Sequence, residues 1–398
     1  VNYLTGATPA IHGDPAMIEA LCSHGWKLED VRDWVATGCV EPSLPGVHSS
    51  ATSSLEINLV APLEMALNDG LHPLMSWQLG PRTGRIDRGD FADFEQFMQA
   101  FAAQCGFLFE QAVVGNDQLG LLYQEHQPAP LLSALTDDCI KSGRGITRGG
   151  ARYNSSGATF MGLADVVDSL LVIKKLVFEE KRVSFPELQQ AMETNFAGNP
   201  GLQALVRNRV RRFGSRDPEA LLMARRVTGL VNGFFRARVN YRGGHYATGW
   251  WSMSNHVSYG RVTGATPSGR LDGEPFTPGL TPHPGASANL LDNLMDVAML
   301  DPKTLDNNLA FNVRLVPGPD DTREQAVDRM TAYARTFIEK GGMQVQFNVV
   351  DTDTLRDAMA HPELYRDLMV RISGYCAYFT ELVRDLQLEV IRRCEYDM

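Results

Sequence analysis

The chain has 398 residues, of which 44% are apolar and 21% are charged, an ordinary composition for a globular protein. Its 37 basic and 47 acidic side chains give a net charge of −10, which argues against a nucleic-acid or anionic-membrane partner. It has no apolar run near the roughly 18 residues of a membrane span, no signal-peptide pattern and no C-x-x-C pair among its six cysteines, which indicates reduced thiols in the cytoplasm.

Helical periodicity dominates the first 240 residues. It predicts helices over 15–34 (with a break at Gly25), 54–68, 90–114, 130–142, 163–181 and 216–240. The stretch Ser184-Phe185-Pro186-Glu187 is a capping box with proline in the first turn, so a further helix is expected to begin there.

The pattern changes near residue 241, where glycine and proline become dense and helical periodicity disappears until about 289. Two strand-like runs, 307–316 and 341–350, enclose a helical run over 322–342, which predicts a strand–helix–strand unit. Further helices are predicted over 354–369 and 381–395. Because the chain has no repeat, low-complexity tract or clean linker, one domain of the α/β class is expected.

Common catalytic motifs are absent. The run GRGITRGG at 143–150 resembles a nucleotide-binding loop, but Arg148 stands at the last required glycine and no strand precedes it. There is no P-loop lysine motif and no nucleophile elbow. His245, His256 and His283 are too far apart to share a helical turn. The motifs therefore argue against a metal, phosphate-loop or serine-hydrolase site.

Cys39 lies in the short run ATGCVEPSLPG, with Glu41 two residues later. A reactive thiolate needs a positive neighbour or a helix N-terminus, whereas Glu41 would keep the thiol protonated. A protonated thiol can give up a hydrogen atom, and the carboxylate would then be available for acid–base work on a substrate. The alternative is a buried structural cysteine beside a surface glutamate.

Gly374 lies in VRISGYCAYF, in a short turn near the end of the chain. The plain interpretation is a glycine required by a tight turn. A glycine α-carbon radical, however, is planar, unhindered and shared between an amide nitrogen and a carbonyl. A buried Gly374 could therefore store an unpaired electron that Cys39 relays.

These two segments together resemble the glycyl radical enzymes, the family of pyruvate formate-lyase and its dehydratase, decarboxylase and lyase relatives. GCVEP (38–42) is similar to the thiyl-radical loop of the Glu-containing subfamily, and RISGY (371–375) is similar to the radical-glycine motif. Further blocks typical of the family are found, in family order, at 131–154, 260–289 and 341–351.

The resemblance implies a ten-stranded β/α barrel built from two antiparallel five-stranded halves, with the Cys loop and the Gly loop meeting at its centre. Cys39 would form the transient thiyl radical, Gly374 would carry the resting radical, and Glu41 would be the general acid or base. No bound cofactor or metal is implied, because a radical S-adenosylmethionine (radical SAM) activating enzyme installs the radical on Gly374.

The chain departs from the family in length, since members are roughly double its size. The resemblance places it in the C-terminal half, with the Cys loop and second half-barrel in 1–269 and the glycine-radical region in 270–398. The start at Val1 rather than Met suggests a cut chain or a fragment. We therefore expect exposed sheet edges, a second chain or segment that supplies the N-terminal half-barrel, and a homo-oligomer.

The Cys loop also narrows the reaction. Val40 replaces the second cysteine that acyl transfer by pyruvate formate-lyase uses, and Glu41 argues against the aryl- and alkylsuccinate synthases. The resemblance then leaves the enzymes that eliminate a group or decarboxylate a small molecule. These are diol and hydroxyproline dehydratases, choline lyase, sulfonate lyases and arylacetate decarboxylases. An arylacetate decarboxylase is the specific prediction. A non-catalytic radical-domain spare part is the non-enzyme alternative, although the presence of the cysteine loop argues against it.

Residues outside the two loops are predicted to contact the substrate. Trp250, Trp251 and Met253 would form a large apolar wall that favours an aromatic substrate, although the tryptophans could instead be ordinary core residues. His72 could instead bond a backbone carbonyl at a helix end. The predicted substrate-binding residues are Ser50, Thr52, His72, Trp250, Trp251 and Met253.

Overall fold

The computed structural model describes residues 10–83, 91–318 and 321–397. Its α-helices are α1 (Asp14–Cys22), α2 (Leu28–Val31), α3 (Val60–Leu67), α4 (Phe94–His126), α5 (Pro130–Ala134), α6 (Cys139–Ser142), α7 (Leu163–Val172), α8 (Phe185–Glu193), α9 (Pro200–Asn208), α10 (Pro218–Arg236), α11 (Asn255–Arg261), α12 (Leu290–Ala298), α13 (Arg323–Glu339), α14 (Thr352–Ala360) and α15 (Arg384–Arg392). Its strands are β1 (Ile11–His12), β2 (Val35–Thr37), β3 (Glu41–Ser43), β4 (His48–Asn58), β5 (Leu71–His72), β6 (Trp77–Gln78), β7 (Tyr153–Met161), β8 (His245–Trp250), β9 (Asn312–Val316), β10 (Gln344–Asn348), β11 (Met369–Arg371), β12 (Cys376–Tyr378) and β13 (Glu395–Asp397).

Five parallel strands form the frame of the molecule. β4 pairs with β7 and β7 with β8, each in parallel register. A parallel bridge between Trp250 and Leu309 joins the end of β8 to the segment that leads into β9, and β9 pairs in parallel with β10. The order β4-β7-β8-β9-β10 matches the five-stranded half-barrel that the family resemblance implies.

The frame has open edges within the described chain. β4 pairs with β7 on one side and with no described strand on the other. β1 and β13 are short and lie at the two ends of the second sheet, whose order is β1-β10-β9-β13. Exposed edges were expected from the sequence, because half a barrel cannot close on itself.

Helices cover the frame and bury a large apolar core. The core is rich in aromatic side chains: the Phe109 ring meets the Phe160 ring edge to face at 5.3 Å and lies tilted at 5.2 Å from the Phe235 ring. A smaller, separate core supports the β11–β12 hairpin with Leu355, Val370 and Val390. Among the described helices, none combines the length and apolarity that crossing a membrane requires.

The strongest local signals in the sequence are confirmed. Ser184 caps α8 and Glu187 bonds back to it, the capping box that the sequence predicts. The predicted strand–helix–strand unit is β9–α13–β10, and its strands are parallel. The helices predicted over 163–181 and 216–240 are also found, the former continuing from α7 as a π-helix over Ile173–Glu179.

Several boundaries predicted from the sequence are wrong. The helix predicted over 54–68 begins only at Val60, because 48–58 form strand β4, in which Leu55 and Ile57 alternate with less buried neighbours. Strands β7 and β8 were not predicted. β7 is buried almost throughout, so its sequence lacks the alternation of polar and apolar residues that identifies a half-buried strand.

Four predicted helices are interrupted or shortened. The helix predicted over 15–34 is divided into α1 and α2 at the break predicted around Gly25, which adopts φ +77°. The helix predicted over 130–142 is split by Asp138, whose φ of 72° is incompatible with a continuous helix. The helices predicted over 354–369 and 381–395 end at Ala360 and Arg392, so strands β11 and β13 occupy their last residues. The division into 1–269 and 270–398 stays a prediction.

Candidate active site

The cysteine hairpin is built by β2 and β3, which pair in antiparallel register with Thr37 opposite Glu41. Gly38, Cys39 and Val40 form the turn between them, and Gly38 has a φ of +58° that favours glycine. Cys39 is half-buried and Val40 is fully buried. The turn therefore presents the thiol-bearing residue from a rigid two-stranded ribbon.

The glycine hairpin is built by β11 and β12, with Arg371 opposite Cys376. The Ile372 N–H donates to the Tyr375 carbonyl at 2.9 Å, which leaves Ser373 and Gly374 as a two-residue turn. Gly374 has a φ of +86° and is buried. Only glycine adopts this conformation readily, so the turn itself accounts for a glycine here.

The two turns meet. A Cβ atom placed on Gly374 would lie 2.8 Å from the Cβ of Cys39 and 2.4 Å from the Nε1 of Trp251, closer than real atoms approach. The Cα hydrogen of Gly374 that occupies this direction thus points into the crevice between Cys39 and Trp251. The structure brings together the two residues that the sequence analysis paired, although no strand joins the two hairpins.

The Cys39 thiol is held in its protonated form. Burial raises its pKa, the neighbouring carboxylate of Glu41 raises it further, and the Arg371 guanidinium lowers it. A thiol that keeps its proton at neutral pH is a poor nucleophile. It does carry a hydrogen atom on sulfur.

Glu41 folds back over its own turn. Its Oε2 accepts hydrogen bonds from the backbone N–H groups of Cys39 and Val40, both at 2.6 Å. The side chain is buried, and its Oε1 has no hydrogen-bond partner among the described residues. One carboxylate oxygen therefore fixes the cysteine turn, while the other remains available for a proton.

Trp251 follows β8 and packs against Cys39 and Val40 in a small buried cluster. Its indole N–H donates to the Ser373 carbonyl at 2.7 Å, and Ser252 Oγ donates to Ser373 Oγ at 3.2 Å. Trp251 was predicted as a substrate-binding residue. The structure shows that it binds the glycine hairpin directly, and its contact with a substrate stays a prediction.

Sequence reasoning missed the residues that clamp the glycine hairpin. Asn348 makes two hydrogen bonds with the backbone of Arg371. Its Nδ2 donates to the Arg371 carbonyl at 2.9 Å, and its Oδ1 accepts from the Arg371 N–H at 2.7 Å. Arg393 donates to the same carbonyl at 3.1 Å and is itself held by buried Glu389. The available signal was the alternation of amide and apolar side chains in the strand-like run QVQFN, which Asn348 ends.

Ser50 and Thr52 lie on β4, directly after the cysteine hairpin. Ser50 Oγ shares a hydrogen bond of 2.9 Å with Ser43 Oγ on β3. The Thr52 carbonyl accepts from Asn307 Nδ2 at 2.8 Å, at the point where the pairing of β4 with β7 is irregular. Both residues are partly buried, and their contact with a substrate stays a prediction.

The remaining predicted residues lie in different surroundings. Trp250 is fully buried in the main core, with its ring 5.4 Å from that of Phe160. His72 lies on the β5–β6 hairpin, where its Nδ1 accepts from the Met75 N–H at 3.3 Å. Met253 is exposed and has a φ of 48°. Of these three, Trp250 has the surroundings of a core residue, the alternative considered above.

A cavity of about 400 Å³ lies away from the cysteine turn. It is lined by the 274–285 segment, which contains His283, and by the end of α15. Arg212 and Arg270 also line it. None of the predicted site residues lines it. Within the described ranges, no cluster of three or more histidine, cysteine or acidic side chains has the arrangement of a metal site.

Comparisons with known proteins agree with this geometry. Residues 2–260 match the sequence profile described as pyruvate formate lyase-like, and residues 276–380 match the profile described as glycine radical. The trans-4-hydroxy-L-proline dehydratase of Clostridioides difficile is 30% identical over 387 residues, which cover 97% of this chain and 48% of that protein. An indoleacetate decarboxylase of Tractidigestivibacter scatoligenes is 29% identical over 404 residues, covering 94% of this chain and 44% of that protein.

Solved structures give the same result. The glycerol-bound form of the B12-independent glycerol dehydratase from Clostridium butyricum superposes with a TM-score of 0.93 at 32% identity. The superposition covers 99% of this chain and 49% of that chain. This chain therefore spans about half the length of the relatives that it matches.

Proposed function

Because the chain belongs to the pyruvate formate lyase-like family of glycyl radical enzymes, we propose that it carries the radical-storing and radical-transferring residues of a lyase. The observation that carries the proposal is the contact between the Gly374 turn and the Cys39 turn. Gly374 stores the radical, Cys39 transfers it, and Glu41 handles protons.

The reaction begins when a radical SAM activating enzyme removes one hydrogen atom from the Cα of Gly374. The Gly374 radical takes the hydrogen atom of the Cys39 thiol, which restores the C–H bond and leaves a thiyl radical. With a hydroxylated substrate, the thiyl radical takes a hydrogen atom from one carbon and a group on the neighbouring carbon leaves. With an arylacetate, the thiyl radical takes one electron from the carboxylate and a proton from Glu41, which restores the thiol, and the oxidised carboxylate loses carbon dioxide. In both reactions the product radical takes a hydrogen atom back from Cys39. The chemistry requires surroundings free of oxygen, which reacts with carbon radicals; we place it in the cytoplasm.

Glu41 suits proton transfer because its two oxygens have different tasks. Oε2 stays bonded to the backbone of the cysteine turn, so the carboxylate keeps its position throughout the cycle. Oε1 accepts or supplies the proton that accompanies loss of the leaving group. A positioned carboxylate of this kind typically contributes about 10²–10⁴-fold to a rate.

The substrate class has two candidates. The dehydratase relatives named above favour a hydroxylated small molecule that loses water. The indoleacetate decarboxylase relative favours the arylacetate predicted from the sequence. An anaerobic screen of hydroxyproline, glycerol, propanediol, choline, sulfonates and arylacetates with the activated enzyme decides between them, and turnover of one class alone identifies the reaction.

The decisive test of the enzyme proposal is Cys39→Ala in the activated, assembled protein. We expect the electron paramagnetic resonance (EPR) doublet of the Gly374 radical to form as in the wild type while turnover of every substrate disappears. Unchanged turnover would remove Cys39 from the reaction. A doublet without turnover in the wild type itself would favour the spare-part alternative.

The proposal includes a partner that supplies the other half of the fold, because β4 pairs with no described strand on one of its sides. Large apolar side chains are exposed on the β5–β6 hairpin and beside the start of β4. Trp77 is 63% exposed on the β5–β6 hairpin. Ile140 is 77% exposed on α6, next to the segment where the Asp137 N–H bonds the Gly46 carbonyl just before β4. Such surfaces mark association sites.

Native mass spectrometry of the purified protein tests the partner. We expect a complex of this chain with a polypeptide that matches the remaining half of the relatives. Trp77→Asp and Ile140→Asp should weaken the complex, whereas Leu364→Asp, at a residue that is 72% exposed on the glycine-hairpin side of the fold, should not. A lone, stable and active chain would disprove the partner.

A further inference from the structure

Trp251 occupies an unusual position beside Gly374. The side chain is 5% exposed, and its N–H donates to the Ser373 carbonyl at 2.7 Å. That carbonyl belongs to the peptide unit whose nitrogen is the backbone nitrogen of Gly374. Because the peptide unit is planar, a hydrogen bond that fixes the carbonyl also fixes the plane of the Gly374 amide.

Water cannot easily replace the Trp251 N–H as the donor to the Ser373 carbonyl. Ser373 is fully buried, so its carbonyl lies out of reach of bulk water and depends on a donor within the protein. The indole N–H is a donor only and cannot accept instead. The same tryptophan packs against Cys39 and Val40, so a single side chain contacts both turns.

We propose that Trp251 is a positioning residue for radical transfer: its N–H holds the 373–374 peptide plane so that the Cα hydrogen of Gly374 faces Cys39. This inference rests on the proposed function and deepens it. In a glycyl radical the unpaired electron is shared with the amide nitrogen, and the hydrogen bond to the Ser373 carbonyl acts on that same amide. The bond therefore influences both the direction of transfer and the spin distribution.

Hydrogen transfer between the two residues can be measured directly. In D₂O the Cys39 thiol exchanges its proton for deuterium with the solvent. Each transfer from Cys39 brings deuterium to the Gly374 Cα, beside the hydrogen that had remained on the radical. When the thiyl radical then removes that hydrogen instead of the deuterium, the radical keeps the deuterium and its doublet collapses to a singlet. The rate of this collapse reports how often hydrogen moves between Gly374 and Cys39, and a role in overall stability alone would not change it.

Trp251→Phe removes the donor and keeps an aromatic ring. In the assembled, anaerobically activated protein we expect a doublet that collapses at least tenfold more slowly than in the wild type, with an altered line shape. Trp250→Phe is the matched control, because the neighbouring Trp250 is also buried but packs in the main core, and its Nε1 has no hydrogen-bond partner among the described residues. Its collapse rate should equal that of the wild type.

The outcomes separate the two proposals. A wild type that gives no doublet overturns the proposed function, and the inference falls with it. A wild-type doublet together with an unchanged collapse rate in Trp251→Phe overturns the inference alone. If Trp251→Phe does not fold or forms no radical, 3-benzothienylalanine at position 251 keeps the ring shape and removes only the N–H. Unchanged collapse in that variant overturns the inference, and slow collapse supports it.

Discussion

Cys39 and Gly374 come from opposite ends of the sequence and pack against each other at the tips of two hairpins, so that a Cβ on Gly374 would lie 2.8 Å from the Cβ of Cys39. Their separation in sequence means that no local structure brings them together. The cysteine turn is fixed by Glu41, and the glycine turn is fixed by Trp251 and Asn348. The contact depends on both sets of bonds.

The first prediction concerns the space at Gly374. Gly374→Ala places a methyl group 2.4 Å from Trp251 Nε1 and 2.8 Å from Cys39 Cβ, so the hairpin must move away. We expect no glycyl radical doublet and a loss of stability beyond the roughly 1–2 kcal/mol that a left-handed conformation alone costs an alanine. EPR spectroscopy and urea unfolding measure the two effects.

Gly243→Ala is the matched control for that experiment. Gly243 has a nearly identical φ of +81°, but a Cβ there would meet no atom within 4 Å. The Gly243→Ala variant should lose only the stability that a left-handed conformation costs an alanine, and it should keep the radical doublet. Equal losses in the two variants would show that the crowding at Gly374 is unimportant.

The second prediction separates the two oxygens of Glu41. In Glu41→Gln the amide oxygen can still accept from the backbone of Cys39 and Val40, while the amide group cannot act as a base. The radical doublet should persist and turnover should fall by about 10²-fold or more. Full turnover would place the base elsewhere.

Glu41→Ala provides the comparison. It leaves both backbone N–H groups of the turn without their acceptor, which should cost about 1–3 kcal/mol for each group that water does not reach. We expect turnover to be lost in both variants but stability to be lost mainly in the alanine variant. Thermal unfolding of the two proteins measures the difference.

The third prediction concerns acid sensitivity at the start of β4. Burial, together with the charges of nearby His245, Arg242 and His24, lowers the pKa of His48 from 6.5 to about 3. The folded state therefore resists protonation of His48. Its contribution to stability is present above pH 6.5 and is lost as the pH falls toward 3, by about 2 kcal/mol between pH 7 and pH 5.

Urea unfolding at pH 7 and pH 5 tests this sign. His48→Gln should reduce the pH dependence by about 2 kcal/mol, and its side chain can still reach Ser155 Oγ, which now lies 2.8 Å from His48 Nε2. His126→Gln, at an exposed position, should leave the dependence unchanged. Identical curves for His48→Gln and the wild type would contradict the prediction.

The fourth prediction concerns the clamp behind the glycine hairpin. Burial raises the pKa of Glu389, but Arg393 and His256 lower it more, to about 2. Arg393→Met leaves the Glu389 charge buried beside His256 alone, which should cost about 3–5 kcal/mol. Replacing both Glu389 and Arg393 by methionine should restore most of that loss, because no unpaired charge remains.

Arg261→Met is the control for the clamp. Arg261 pairs with Asp385 on the surface of the same region, where both side chains are largely exposed. The loss there should stay below about 1 kcal/mol. A comparable loss in Arg261→Met and Arg393→Met would mean that burial does not determine the effect.

Local signals in the sequence predicted much of the fold but left the frame incomplete. The capping box at Ser184 and the unit β9–α13–β10 depend on residues close together in the chain, so the local sequence pattern was enough to predict them. Strands β7 and β8 could not, because burial on both faces removes the alternation that identifies a strand. Trp250 shows the same limit: its neighbour Trp251 reaches the site, whereas Trp250 fills the core.

Residue types at fixed short spacings were enough to identify the family and to predict roles for Cys39, Glu41 and Gly374. The contacts that hold these residues together became visible only in the folded chain: the Trp251 hydrogen bond to Ser373, the Asn348 and Arg393 clamp, and the two hydrogen bonds that Glu41 accepts from its own turn. Those contacts join residues distant in sequence or depend on side-chain direction. The packing of the whole fold determines which distant residues meet and where each side chain points, so no local sequence pattern could predict these contacts.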